Sequence, residues 1–102
     1  MSNIIAVAEK EIIRNEILKM CQETMPAGAS IQVLRAGLKK LGMDVSLAEV
    51  ERQVSYLEGK QLVKVAELKN ERLGIGRKIA YITSMGTDLL EGNLEGTGIA
   101  CD

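Results

Sequence analysis

The sequence predicts an α+β fold, mainly α: three helices, a β-hairpin and a short closing helix. Three observations carry that expectation. Apolar residues recur at helical spacing in three stretches before residue 60. Two strand-like runs follow, "QLVKVAEL" (61–68) and "KIAYIT" (78–83), on either side of a charged, glycine-punctuated segment. The length of 102 residues suits one domain, since a second core would have too little surface to bury.

The spacing predicts helix 1 over residues 5–24, ending before Pro26. Ile13, Ile17, Met20 and Cys21 cluster on one side of it, and Ile5, Ala8 and Ile12 form a second apolar stripe beside them. Together the two stripes span more arc than a small domain covers. The second is therefore read either as a broad core face or as the seam of a homodimer. "AGAS" (27–30) is a loop whose Ser30 suits an N-cap. Helix 2 follows over 31–41 with Ile31, Leu34, Leu38 and Leu41 in one stripe, and Gly42 stops it. "GMDV" turns the chain into helix 3, residues 46–58. Ser46 and Glu49 form a capping box there, and Leu47, Val50, Val54 and Leu57 form the apolar face. Gly59 closes that helix. The strands at 61–68 and 78–83 make a hairpin around a 69–78 loop, longer than a tight turn requires. "SMGTDLLEG" (84–92) is a short last helix carrying Leu89 and Leu90, and the glycine-rich residues 93–102 form a loosely held tail. No internal repeat is evident.

Composition excludes several classes of function. Apolar residues reach 46%, enough for a globular core, yet Phe and Trp are absent and the only aromatics are Tyr56 and Tyr81. Stacking single-stranded bases on aromatic platforms is disfavoured accordingly. A net charge of -1 provides no global field to attract nucleic acid, so any basic surface must be local. No apolar run approaches the ~18 residues of a membrane span, and "MSNIIAVAEKEIIRNEI" acquires charges too early for a signal peptide, so a cytoplasmic protein is expected. With no histidine and with Cys21 and Cys101 far apart, no metal site or cofactor is expected, only one buried thiol and one in the tail. Ser–His and Cys–His pairs cannot be built. "LGIGRK" continues into neither GxGxxG nor a P-loop, and Glu9, Glu11 and Glu16 lack a partner motif. No catalytic residue is assigned, and an enzyme is not expected.

"VERQVSYLEGKQLVKV" resembles the third helix of a winged helix-turn-helix domain running into its first wing strand. "AYITSMGTDLLEG" resembles the end of the second wing strand and the start of the last helix. The resemblance covers roughly residues 10–92 and is to the bacterial or phage transcriptional-regulator type. It implies a three-helix core with a helix-turn-helix, a β-hairpin wing and a short C-terminal helix, all within a 1–92 domain. It also implies that helix 3, residues 46–58, enters the major groove while the 69–78 wing touches the backbone or minor groove. Many winged helices bind only proteins, so the residues have to discriminate.

With its apolar stripe inward, helix 3 turns Ala48, Glu49, Arg52, Ser55 and Tyr56 outward, and Glu51 and Glu58 fall on a flank close to the core side. Arg52 suits bidentate reading of guanine, and Ser55 and Tyr56 suit bases or phosphates. Helix 2 supplies Arg35, Lys39 and Lys40 without an acid; the wing supplies Lys69, Arg72, Arg77 and Lys78 against Glu71. Each segment nets +3, the sign phosphate contacts need. The expectation is a homodimeric regulator of transcription bound to double-stranded DNA, paired through Ile5, Ala8 and Ile12 and with no membrane contact. The alternative is a protein-interaction module that uses the same surface or the helix 1 stripe.

Overall fold

Helix α1, Ser2–Glu23, is long enough to outrun the body it packs on: residues 6–10 are exposed on every side, and burial begins at Ile13. The remaining elements are β1 (Ala29–Ser30), α2 (Ile31–Lys40), α3 (Leu47–Gly59), β2 (Val63–Asn70), β3 (Ile75–Ile82) and α4 (Ser84–Leu90). This computed structural model describes residues 2–92 other than 71 and 73, with side chains over 6–69, 72, 74 and 76–92. The sequence-based expectation for 93–102 lies outside the described residues.

Three helices start on a side-chain cap. Ser30, Ser46 and Thr83 hold extended backbone, and their hydroxyls accept from the amides of Val33 (3.2 Å), Glu49 (3.1 Å) and Gly86 (3.0 Å). The expected capping box of α3 is only half made. The Glu49 carboxylate turns away from the helix start toward Arg52 and Gln53. Leu41 also departs from its expected place in the α2 stripe: the helix stops at Lys40, and Leu41, as its C-cap, is 57% exposed.

The core is aliphatic, as the composition requires. Ile17, Leu18 and Cys21 of α1 meet Leu34 and Leu38 of α2, Val50 and Leu57 of α3, and Leu89 of α4. The sheet is antiparallel, in the order β1-β3-β2. β1 is only two residues, too short to show a period, so the sequence alone predicts a loop there. It forms because the chain turns tightly onto β3 at Gly28, whose φ of +78° suits glycine. A Cβ at Gly28 would lie 2.7 Å from both Ile79 Cγ2 and Tyr81 Cε1, so the close approach also requires glycine.

The hairpin is more regular than expected. Pairing runs without a break from Val63↔Ile82 to Asn70↔Ile75, leaving residues 71–74 as the connection in place of a 69–78 loop. Lys69, Arg77 and Lys78 therefore sit on strands. Paired residues share a face and faces alternate. Val63, Val65, Ala80 and Ile82 line the helix-facing side, and beyond the core that side continues as Glu67, Lys69 and Lys78. The opposite side carries Lys64, Ala66 and Leu68 against Tyr81, Ile79 and Arg77.

Burial pushes the Cys21 thiol up from 9.0 to about 12. The neutral thiol is thus favoured by folding. Its contribution is complete below 9.0 and is lost as pH rises toward 12. In a Cys101→Ser background, Cys21 is expected not to react with an aromatic disulfide reagent near about pH 8 until denaturant unfolds the chain. Rapid reaction of the native protein, read by absorbance, would contradict this burial.

Candidate functional site

The exposed face of α3 is rotated from the one the apolar spacing suggests. Val50, Val54 and Leu57 point inward as expected, but Leu47 is 39% exposed and Gln53, at 4%, takes the inward place. The cause lies on α1. Arg14 Nε donates to Gln53 Oε1 at 2.7 Å, and Gln53 Nε2 donates onward to the Glu49 carboxylate. Glu49 also pairs with Arg52 at 2.8 Å. A buried amide needs such partners, and this chain draws Gln53 toward α1 while turning Leu47 out. The sequence shows only the Glu49–Gln53 spacing of four; Arg14, 39 positions away, carried no signal.

The rotation sorts the α3 candidates. Arg52 and Ser55 stand exposed with Ala48 at the centre of the outer face. Tyr56 lies at its edge, half-buried against the core, with the Arg14 guanidinium 3.6 Å and the Lys60 ammonium 5.6 Å from its ring centroid. Glu51 and Glu58, expected on a flank close to the core, are both exposed. Glu51 reaches Lys78 of β3 at 3.7 Å, a contact that spans from α3 to the hairpin.

The basic groups form two sets. Lys39 and Lys40 are exposed in the last turn of α2, where the helix dipole favours cations, and the Arg35 guanidinium is tied to the Val45 carbonyl at 3.2 Å. On the hairpin, Lys69 and Lys78 occupy the side that continues from the core, Arg77 occupies the other, and Arg72 is in the turn. Lys64, absent from the sequence-based candidates, is exposed on the same side as Arg77. The sequence does not reveal its side, because facing on a strand follows from the register. Lys69 pairs with Glu67 at 3.8 Å; exposed pairs such as this and Lys78–Glu51 are worth about 0–1 kcal/mol and yield readily to a phosphate. The hairpin thus carries cations on both sides and at its turn, in excess of Glu67 and Glu71.

Along α1, Ala8 is exposed and Ile12 is 47% exposed, while the Ile5 side chain lies outside the described residues. Ile12 and Ile13 line a groove of about 530 Å³ with Glu9 and the 41–45 turn. Among the described residues no cluster of three or more metal-ligating side chains occurs, and no helix is long and apolar enough to cross a membrane. No protein-family model matches the chain, and no curated protein matches it in sequence.

Proposed function

We propose that this chain is a winged-helix DNA-binding protein of the regulator type, which grips duplex phosphates chiefly through its hairpin and presents Arg52 and Ser55 of α3 to the bases. The α+β architecture, with its helical core and antiparallel hairpin, is compatible with that reading. The observation that carries it is the distribution of charge on the hairpin. Lys64 and Arg77 on one side, Lys69 and Lys78 against Glu67 on the other, and Arg72, next to Glu71 in sequence, at the turn make the hairpin a net cationic finger beside the exposed face of α3. A finger charged on both sides can meet phosphates on both walls of a groove, which a one-sided patch cannot. Lys39 and Lys40 add a second backbone contact from α2.

One observation favours a second reading, a module that binds protein without binding DNA. Glu51 and Glu58 accompany Arg52 on the exposed surface of α3, and near phosphates both would be repelled. On that reading α3 docks against a basic protein surface.

Charge variants separate the two readings. With mixed-sequence duplex, Arg72→Glu/Arg77→Glu is expected to weaken binding by ~10–100-fold at low salt and to lower the salt slope by about 2, about one for each lost phosphate contact. Glu51→Gln/Glu58→Gln is expected to tighten binding. Unchanged affinity in the first variant, measured by fluorescence anisotropy, would remove the hairpin from the interface. Absence of wild-type binding at low salt would favour the protein-binding reading.

A further inference from the structure

We infer, resting on the DNA-binding reading proposed above, that Gln53 and Glu49 are positioning residues for Arg52: they hold its guanidinium for a guanine edge and keep it from neighbouring phosphates. The first ground is the presence of an amide at a core-facing place. Gln53 is 4% exposed, and an apolar side chain there would need no partner. Stability alone does not call for glutamine. Both of its polar atoms are engaged, Oε1 accepting from Arg14 Nε at 2.7 Å and Nε2 donating to Glu49. Arg14 is itself placed by the Tyr56 ring, 3.6 Å from its guanidinium. From this buried amide the chain runs outward and ends on Arg52, 2.8 Å from Glu49.

The second ground is what that chain does to an exposed arginine. Exposed ion pairs are weak partly because two long side chains must be ordered to form them. Here Gln53 already holds Glu49, so only Arg52 remains to be ordered. The contact is made by Nη2, which leaves other donors of a five-donor guanidinium open to a ligand. Arg52 stays 70% exposed while it is held.

Charge selects the target. An untethered arginine can swing to any nearby phosphate, and such a contact carries no sequence information. The Glu49 carboxylate opposes that swing, because it attracts the guanidinium and repels phosphate oxygens beside it. Guanine O6 and N7 are uncharged acceptors that match the arginine fork, so they suit a guanidinium held in this way.

The wild-type chain is first used to select sites from a pool of randomised duplex DNA, and each guanine of the selected site is then replaced in turn. Replacing one guanine is expected to cost the wild type ~10–100-fold in affinity and to cost Arg52→Ala nothing. Gln53→Leu changes no charge. It is expected to reduce that guanine preference to a few-fold, with mixed-sequence affinity and salt slope unchanged. In an Arg52→Ala background the same substitution is expected to leave affinity for the selected site unchanged, which a general loss of structure would not do. Glu49→Gln leaves the core residues in place should Gln53→Leu fail to fold by circular dichroism. It is expected to tighten mixed-sequence binding and yet lower the guanine preference. Full guanine preference in either folded variant, or a selected site with no guanine read through Arg52, would overturn the positioning role and leave DNA binding standing. A wild type that binds no duplex at low salt would instead remove the DNA-binding reading, and the positioning role with it.

Discussion

Gly86→Ala is expected to destabilise the domain by about 3 kcal/mol, lowering the melting temperature by roughly 15 °C. Gly86 is buried in the first turns of α4. A Cβ there would fall on the Leu62 carbonyl oxygen and lie 2.8 Å from Ile82 Cγ1. The carbonyl cannot move aside freely, because it accepts from the Thr83 amide at 3.1 Å, and Thr83 is the cap of α4. Relief therefore has to come from α4 itself, by lifting Leu89 out of the core and breaking the Gly86 amide bond to the Thr83 hydroxyl. Calorimetry would read the shift. A loss below about 1 kcal/mol would mean that α4 is not packed against the start of β2 and the end of β3 as described.

The second large effect tests the orientation of α3. Leu57→Ala removes a side chain with no exposed surface from the contact of α3 with the core and is expected to cost about 3–4 kcal/mol. Leu47→Ala, on the same helix and with the same change in chemistry, is expected to cost about 1 kcal/mol or less because Leu47 is already 39% exposed. The apolar spacing alone would rank the two alike. Denaturant melts of both variants decide between the rotations, and equal losses would return Leu47 to the core and turn Gln53 outward.

What the sequence made legible follows from local physics. The helix caps Ser30 and Ser46 and the inward residues Leu34, Leu38, Val50 and Leu57 depend on neighbours within a turn, and spacing reveals them. The rotation of α3 depends on Arg14, far away in the chain, and on the low cost of burying an amide once it is bonded. No period can report that. The extent of the hairpin is hidden in the sequence for a different reason. Beyond the core residues 66–69 and 76–78 are exposed, so Lys69, Gly76, Arg77 and Lys78 look like loop residues, although backbone pairing continues through them. The facing of each cation, on which the finger depends, becomes visible only with the register. Of the candidate site, Arg52 and Ser55 stand on the exposed face, Tyr56 is drawn to its edge by Arg14, and Lys64 emerges as an additional cation.

The most direct measurement is a titration of the wild-type chain against mixed-sequence duplex DNA across a series of salt concentrations. Phosphate contacts by the hairpin and the end of α2 are expected to make the logarithm of the binding constant fall linearly with that of salt, with a slope of about −3 to −5 at roughly 0.9 per neutralised phosphate. No binding at the lowest salt, or binding indifferent to salt, would contradict a cationic finger that grips DNA.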